Sequence, residues 1–431
     1  MTAFFQKPLW LRILVAMVLG VILGFGIRPE GYLNGLIDGE AWSAALKLVG
    51  DAFIRLIRML SVPLIFVSVA AAVVSIGDLS RLGKSGARIA ALYIPSGLLA
   101  ACLGVSLAML IQPGAGIEAP AGLSAPPVKP PPTGADILAM FIPANPVKAL
   151  AEGDMLSVIV FAILLGIGVL GAREAAKPVA DVLDGAAHAL TKLVTYIMEL
   201  APIGAFALMA WAVALMGADA LVKLAALIGT VYLGCFIYGF VVYGGFIKFV
   251  LGLPILPFFK GMSEAMAVAY STSSSNATLP VTMRCMIEKL GISRRMSAFV
   301  SSMGATVNMD GTAMYICIVT IFGAQLFGIP LDSGQLVGIV IAASLGAIGA
   351  AGIPGGSIVF IPLVLGIAGV PVEVIAIILG ADRIMDMMRT VVNVLGDSAA
   401  AVAVAKWEGE LDVDAYKDNQ LREAPVAQSQ G

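Results

Sequence analysis

Five polar residues in the stretch from Ile375 to Lys406 have the types and the spacing of a binding face. The rest of this stretch is mainly Ile, Leu, Met, Val and Ala, and it is long enough to span a bilayer. At about 100° per residue, the five fall within one arc of about 80° around a helix axis. They are Asp382, Asp386, Arg389, Asn393 and Asp397. Three carboxylates and one guanidinium are costly at membrane depth, so the face predicts a site for ions or a charged substrate. The alternative is a structural helix whose charges pair with neighbouring helices.

The composition places this face in a polytopic membrane protein. Hydrophobic residues make up 59% and charged residues 13% of the 431 residues, against about 45–50% and about 25% in soluble domains. The net charge of −2 gives no bulk attraction for nucleic acid, so no such partner is expected. The four cysteines lack metal-ligand spacing and His188 stands alone, which predicts no resident cofactor and no enzyme.

Apolar runs predict the spans that precede this face. They are Ile13 to Ile27, Ala45 to Ile76, Ile89 to Ile111, Met155 to Leu170, Leu190 to Met216, and Leu221 to Val250. Basic residues between the second and third runs place both termini in the cytoplasm, by the positive-inside rule. The proline-rich stretch from Gln112 to Thr133 is predicted to be an outside loop, and the polar tail from Trp407 to Gly431 is predicted to be disordered.

Two later apolar segments are each interrupted by helix-breaking residues. Phe258 to Leu290 contains Tyr270-Ser-Thr-Ser-Ser-Ser-Asn-Ala-Thr-Leu-Pro280, and its flanking basic residues place both ends in the cytoplasm. Leu336 to Ile367 contains Gly349-Ala-Ala-Gly-Ile-Pro-Gly-Gly-Ser357, and its flanks suit the outside. Both are predicted to be re-entrant helical hairpins that open to opposite sides, which is an inverted repeat with a site near the midplane. The alternative for each interruption is a flexible linker.

A third interruption, Asn308-Met-Asp-Gly-Thr312, lies within the apolar segment from Ala298 to Leu326. A regular helix would point Asn308 and Asp310 about 200° apart. An unwound turn lets both aim inward and frees carbonyls for a hard cation such as sodium. The freed N–H groups of half-helices can in turn hold a carboxylate. The alternative is a helix kink with a solvated Asp310.

Together these motifs resemble the glutamate/aspartate–cation symporters, also called the dicarboxylate/amino acid:cation symporter family. The resemblance covers essentially the whole chain and is strongest from Ser273 to Lys406. It implies an all-α membrane protein with eight transmembrane helices plus two re-entrant hairpins, working as an elevator and assembled as a homotrimer among the lipids of a bacterial inner membrane. The implied domains are residues 1–256 (mainly spans one to six, for scaffold and trimerisation, with spans three and six joining the transport domain), a transport core of 257–406, and a cytoplasmic tail of 407–431.

The resemblance also implies residue roles. Arg389 would bind the side-chain carboxylate of an acidic amino acid, and Asp386 its α-ammonium. The rest of the implied substrate pocket is Ser274, Ser275, Thr312, Ile353, Pro354, Gly355, Ser357, Thr390 and Asn393. The implied ligands of co-transported sodium ions, or acceptors of protons, are Tyr93, Ser96, Gly304, Thr306, Asn308, Asp310, Ala347, Ile348, Ala350, Asn393 and Asp397.

The sequence departs from the family pattern at its arginines. Archaeal members have an extra arginine at the position of Ser273, and animal members at the position of Met387. Here the extra arginine is Arg383, directly after Asp382, as in many bacterial members. Gly97 also stands where a hydroxyl residue is often found.

Three functions other than acidic amino acid uptake fit the residues less well. A carrier of C4-dicarboxylates such as succinate or malate is the main alternative, although Asp386 would then be an unpaired like charge beside the substrate. An intramembrane hydrolase would need a base near the serine-rich interruption, and His188 is far away in sequence. An ion channel would not explain a paired Asp and Arg spaced for a zwitterion.

Overall fold

The computed structural model describes residues 9–33, 36–81, 84–116, 144–152, 155–348, 350, 352 and 354–419. In these ranges the chain is helical, and its extended pairing is an isolated bridge between Ile292 and Leu411. Most of the predicted outside loop, and Ile353 of the predicted substrate pocket, lie outside the described residues.

The first half of the chain contributes eight helices in these ranges. They are α1 Leu9–Ile27, α2 Gly39–Arg81, α3 Lys84–Ile111, α4 Pro146–Glu152, α5 Met155–Ala172, α6 Lys177–Met198, α7 Ala201–Met216 and α8 Ala218–Phe236. A short 3-10 turn, Arg173–Ala176, joins α5 to α6. The helix of α8 continues to Val250 through the π-helical turns Ile237–Val242 and Phe246–Val250.

The second half contributes a further eight helices in the described ranges. They are α9 Ile255–Thr272, α10 Ser275–Glu288, α11 Arg294–Val307, α12 Asp310–Leu326, α13 Ser333–Ile348, α14 Ile361–Ala368, α15 Val374–Glu408 and α16 Val413–Asp418. A 3-10 turn, Gly356–Phe360, leads into α14. Six helical stretches of the described chain are long and apolar enough to cross a membrane.

The three predicted interruptions are confirmed as breaks in the helices. Ser273, with a φ of 50°, ends α9 in the left-handed region, and α10 starts two residues later. Asn308 and Met309 separate α11 from α12. Gly355, with a φ of 73°, precedes the turn that leads into α14. We call α9–α10 the first hairpin and the segment from α13 to α14 the second hairpin.

Two expectations from the sequence were wrong. Leu190 to Met216 is not one span, because α6 ends at Met198 and Pro202, which lacks an N–H group, starts a new helix in its first turn. The described part of the tail, which ends at Asn419, is folded: the Tyr416 hydroxyl donates to the carbonyl of Pro254 at 2.9 Å, and the Asn419 amide donates to that of Lys289 at 3.1 Å. Carbonyls left free at the base of the first hairpin therefore bind the tail. The rest of the predicted tail, residues 420–431, lies outside the described residues.

The last two long helices form the centre of the molecule. Every residue of α12 except Gln325 is buried, and the part of α15 after Ala381 is almost wholly buried. In contrast, α3 and the α5–α6 segment leave much of their apolar surface exposed. The polar face of α15 is therefore enclosed by protein, while the outer helices carry the surface suited to lipid.

Glycines allow the closest helix contacts. A Cβ at Gly20 would lie 2.6 Å from the carbonyl oxygen of Phe206, and one at Gly24 would lie 2.7 Å from that of Ala210, so α1 and α7 pack backbone to backbone. Small residues at such interfaces are typical of helices that associate without a hydrophobic driving force.

We expect Gly24→Leu to separate α1 from α7 and to lower the free energy of unfolding by about 1–3 kcal/mol, as overpacking does. The measurement is thermal unfolding of the purified protein in detergent, followed by size-exclusion chromatography. Gly168→Leu is the matched control, because nothing lies within 4 Å of a Cβ added at that exposed helical glycine. Equal melting temperatures for the two variants would contradict the packing argument.

Candidate functional site

The five polar residues of the α15 face are all buried, each with at most 3% of its surface exposed. The face meets the start of α12 and the tips of the two hairpins. The structure thus brings the predicted face together with all three breaks in the helices. The partners of these charges form three groups. One is a charged centre around Arg389, and the other two are oxygen-rich clusters around Asp397 and Asp310.

Arg389 is the centre of the charged group. Its Nη2 lies 2.7 Å from Asp386 Oδ1 and its Nη1 lies 3.6 Å from Asp382 Oδ1. The guanidinium carbon lies 4.2 Å from the ring centroid of Tyr315, whose hydroxyl donates to Asp382 Oδ1 at 2.6 Å. Within the described part of the chain, Nη1 makes no hydrogen bond. A buried guanidinium with an unused donor is suited to a carboxylate ligand.

Asp386 connects α15 to the second hairpin. Its Oδ2 accepts the backbone N–H of Gly355 at 2.9 Å. Its Oδ1 accepts the Thr390 hydroxyl at 3.3 Å in addition to Arg389. Arg383 Nη1 lies 3.9 Å from Oδ2. Both carboxylate oxygens are therefore engaged in this arrangement, and a new ligand of Asp386 has to displace one of these partners.

The two hairpin tips contact each other in front of this group. The Ser274 hydroxyl donates to the carbonyl of Gly352 at 2.6 Å and also accepts the N–H of Ala277, which caps α10. The N–H of Asn276 donates to the same carbonyl at 3.1 Å. Ser275 and Ser357 are buried beside the tips, and the Ser357 hydroxyl has no hydrogen-bond partner in the described chain. Polar donors thus gather where the half-helix of α10 begins, a favourable place for an anion.

Asp397 anchors the first oxygen-rich cluster. Its Oδ1 accepts the side-chain N–H of Asn308 at 3.0 Å. A Cβ at Gly304 would lie 2.1 Å from that same oxygen, so the backbone can approach the carboxylate only because the residue is glycine. The Asn308 side-chain oxygen makes no hydrogen bond with the described residues. Carboxylate, amide and carbonyl oxygens are the donors that a hard cation prefers.

Asp310 anchors the second cluster, which contains hydroxyl groups from two other helices. Its Oδ2 accepts hydrogen bonds from Ser96 and Tyr243, and Ser96 Oγ lies 3.0 Å from the Tyr238 hydroxyl. Its Oδ1 makes no hydrogen bond in the described ranges. Asp310 also lines a cavity of about 260 Å³. The lining of that cavity includes Tyr93, Gly97, Ser344, Ala347 and Ile348.

Asn393 links the charged centre to the break in front of α12. Its side-chain oxygen accepts the N–H of Gly311 at 2.9 Å, and its side-chain nitrogen lies 3.5 Å from Thr312 Oγ1. Pro354 is half-buried at the second hairpin tip, and Ala350 is buried near it. Thr306 lies in α11, and its side chain is outside the described part.

Three tyrosines of the site were not predicted from the sequence. Tyr315 follows Thr312 by three residues on α12, so helical spacing could have placed it on the same face. Tyr238 and Tyr243 lie in and directly after a π-helical turn, where the usual spacing fails and no sequence signal was available.

Comparison with known proteins gives a consistent family. Residues 9–407 match the Sodium:dicarboxylate symporter family. The chain is 34% identical over 415 residues to a proton/sodium-glutamate symport protein of Bacillus caldotenax, covering 94% of this chain and 96% of the relative. It is 34% identical over 418 residues to a C4-dicarboxylate transport protein of Rhodospirillum rubrum, covering 95% and 90%. A proton/sodium-glutamate symport protein of Bacillus subtilis is 35% identical over 402 residues, covering 89% and 93%.

We expect Tyr315→Phe to destabilise the fold by about 1–3 kcal/mol, because it leaves the buried Asp382 without its hydroxyl donor. Tyr315→Leu should lose about 0.5–2 kcal/mol more, since the stacking on Arg389 is also removed. Thermal unfolding of the purified protein measures both. Tyr232→Phe is the control, because the Tyr232 hydroxyl donates to a neutral group, the carbonyl of Ile384, at 2.9 Å. A Tyr315→Phe variant as stable as the control would contradict the role of this hydroxyl.

Proposed function

Because the chain belongs to the sodium:dicarboxylate symporter family, we propose that it takes up glutamate and aspartate by secondary active symport with sodium ions or protons. It is a multi-pass membrane protein and a transporter rather than an enzyme. The observation that carries the choice of substrate is the buried pair of Arg389 and Asp386, 2.7 Å apart. An acidic amino acid has one group for each of them.

In the proposed binding step, the substrate replaces the internal pair. Its side-chain carboxylate takes the guanidinium of Arg389, and its ammonium takes Asp386. The α-carboxylate is held by N–H and hydroxyl groups at the hairpin tips, near Ser274 and Gly355. Thr312, Thr390 and Asn393 complete the polar wall. The internal pair keeps these charges partnered while the pocket is empty, so exchanging it for substrate never leaves a charge buried alone.

The co-transported cations bind in the two oxygen-rich clusters. Asp397 with Asn308 and the backbone near Gly304 forms one site, and Asp310 with Ser96 forms the other. Both carboxylates have oxygen neighbours and buried surroundings, which suits sodium. Backbone carbonyls of Thr306, Ala347, Ile348 and Ala350 supply a third set. A substrate with net charge −1 makes cation binding at these places more favourable.

Transport follows an elevator motion of the core, residues 257–406 joined by spans three and six, against the scaffold that the other spans of residues 1–256 form. A Cβ at Gly355, on the tip of the second hairpin, would lie 2.6 Å from Met198 Cε at the end of α6. Leu9 and Ile13 at the start of α1 border the same place. With a cytoplasmic N-terminus, the tip of the second hairpin lies at the level of the cytoplasmic start of α1. This position supports an inward-facing arrangement. The homotrimer and the bacterial inner membrane are proposed on the family resemblance.

A second candidate is a C4-dicarboxylate symporter, which the name of the Rhodospirillum rubrum relative brings into consideration. One observation favours it: Arg383 lies 3.9 Å from Asp386 and offers that carboxylate a cation when the substrate has no ammonium. The acidic amino acid ranks first, because Asp386 lies 2.7 Å from Arg389 and the pair offers one opposite charge to each end of a zwitterionic diacid.

We expect uptake of labelled aspartate into proteoliposomes to require an inward sodium gradient. Sodium and pH are varied separately, with choline replacing sodium. Asp397→Asn should reduce the sodium dependence by about tenfold or more, because a charged ligand of the cation is lost. Asp184→Asn, which removes an exposed carboxylate from α6, is the control. Uptake that is equal in sodium and choline but rises as the external pH falls would assign the coupling to protons instead.

We expect wild-type protein to prefer aspartate over succinate, and Asp386→Ser to lose aspartate binding by more than about 100-fold, as removal of a buried partner does. Succinate affinity should be kept or should increase, because a like charge beside it is gone. Competition of labelled substrate by unlabelled succinate in both proteins measures the change. Strong competition by succinate in the wild type would show that Asp386 does not bind the ammonium, and the dicarboxylate function would take first place.

A further inference from the structure

Four consecutive charges on α15 form a neutral group, which we call the charged quartet: Asp382, Arg383, Asp386 and Arg389. All four side chains are buried, with at most 8% of the residue surface exposed. The two guanidiniums and the two carboxylates cancel. The roles proposed above use Arg389 and Asp386 for substrate and place Tyr315 on Asp382, and they mention Arg383 only as a cation near Asp386 in a dicarboxylate carrier.

Arg383 is held between the first hairpin and Asp386. Its Nη2 donates to the carbonyl of Thr272, the last residue of α9, at 3.1 Å. Its Nη1 lies 3.9 Å from Asp386 Oδ2, which is within ion-pair range but too long for a hydrogen bond. Its Nε has no hydrogen-bond partner in the described part of the chain. The guanidinium can therefore bind Asp386 more closely without giving up Thr272.

The need for this contact depends on the substrate. When Arg389 turns to a substrate carboxylate, Asp386 loses the guanidinium that now lies 2.7 Å away. An amino acid supplies its ammonium as the replacement, whereas a dicarboxylate supplies no cation. Among the described residues, Arg383 is the other cation in an ion pair with Asp386. A charge-assisted hydrogen bond from Arg383 would close the distance by about 1 Å.

We propose that Arg383 determines substrate range: it pairs with Asp386 when the bound substrate has no ammonium, and so admits C4-dicarboxylates as secondary substrates of an amino acid carrier. The inference rests on the proposed function. Arg383 acts through Asp386 rather than on the substrate, so it is a positioning residue. The competing role is a brace for the first hairpin through Thr272, which would affect every substrate alike.

The test uses the full chain in proteoliposomes with an inward ion gradient. Labelled aspartate uptake gives KM, and unlabelled succinate gives an inhibition constant. In Arg383→Met we expect the succinate constant to rise by at least about tenfold, because Asp386 is left as a buried charge without a partner. The KM for aspartate should change by less than about threefold, and this near-constant value also shows that the variant is folded. Arg383→Lys should restore much of the succinate affinity, because it keeps the charge.

Two further variants separate a charge effect from a structural one. Arg12→Met removes a buried arginine that pairs with Glu199 at 2.7 Å rather than with Asp386, and should leave the ratio of the two affinities unchanged. In an Asp386→Ser background, assayed by uptake of labelled succinate, adding Arg383→Met should change the KM by less than about threefold, since the charge that Arg383 neutralises is absent.

Three results of these assays would overturn the inference. An equal loss for aspartate and succinate in Arg383→Met supports the brace and overturns the inference, as does no change for either substrate. A loss of succinate uptake that is just as large in the Asp386→Ser background would mean that Arg383 contacts the dicarboxylate itself, which also overturns it. If the wild type accumulates neither aspartate nor succinate under any ion gradient, the proposed function fails as well.

Discussion

The buried ion pair between Arg389 and Asp386 is the interaction on which the rest of the structure depends. A buried pair stabilises a protein only when further hydrogen bonds satisfy its remaining donors and acceptors. Those bonds come from three directions: the backbone of Gly355 on the second hairpin, Thr390 on the same helix, and Tyr315 on α12, by way of Asp382. The charges on α15 can therefore lie within a membrane only because α12 and the two hairpins enclose this helix.

The breaks in the helices supply what a continuous helix could not. The backbone at the start of α12 lies directly against α15, since a Cβ at Gly311 would lie 2.5 Å from the carbonyl oxygen of Arg389. The N–H of Gly311, in the first turn of α12, donates to the side-chain oxygen of Asn393, so the start of this helix pairs with a side chain of the polar face. Glycine at this position is needed for close approach, and the same holds for Gly304 beside Asp397.

The features that could be predicted from the sequence are charges and polar interruptions, which an apolar membrane span normally lacks. Charges at Asp382 and Arg389, and the polar interruption at Asn308, stand out because lipid excludes them, and each break was found where expected. The division between α6 and α7 and the docking of Tyr416 were missed. Both depend on partners distant in sequence or on one proline in a uniformly apolar run. Tyrosines such as Tyr243 were missed because an aromatic residue in an apolar helix is usually packing.

The neutrality of the charged quartet bears on the choice between an acidic amino acid and a C4-dicarboxylate as substrate. An acidic amino acid adds one net negative charge to a neutral group, and a C4-dicarboxylate adds two. The additional charge has to be balanced within a buried site, by cations at the proposed sites around Asp310 and Asp397 or by rearrangement within the quartet. Specificity in such a site is a matter of where compensating charge is available as much as of pocket shape. If Arg383 acts as proposed, the position of a second guanidinium relative to Asp386 shifts substrate range without changing the fold.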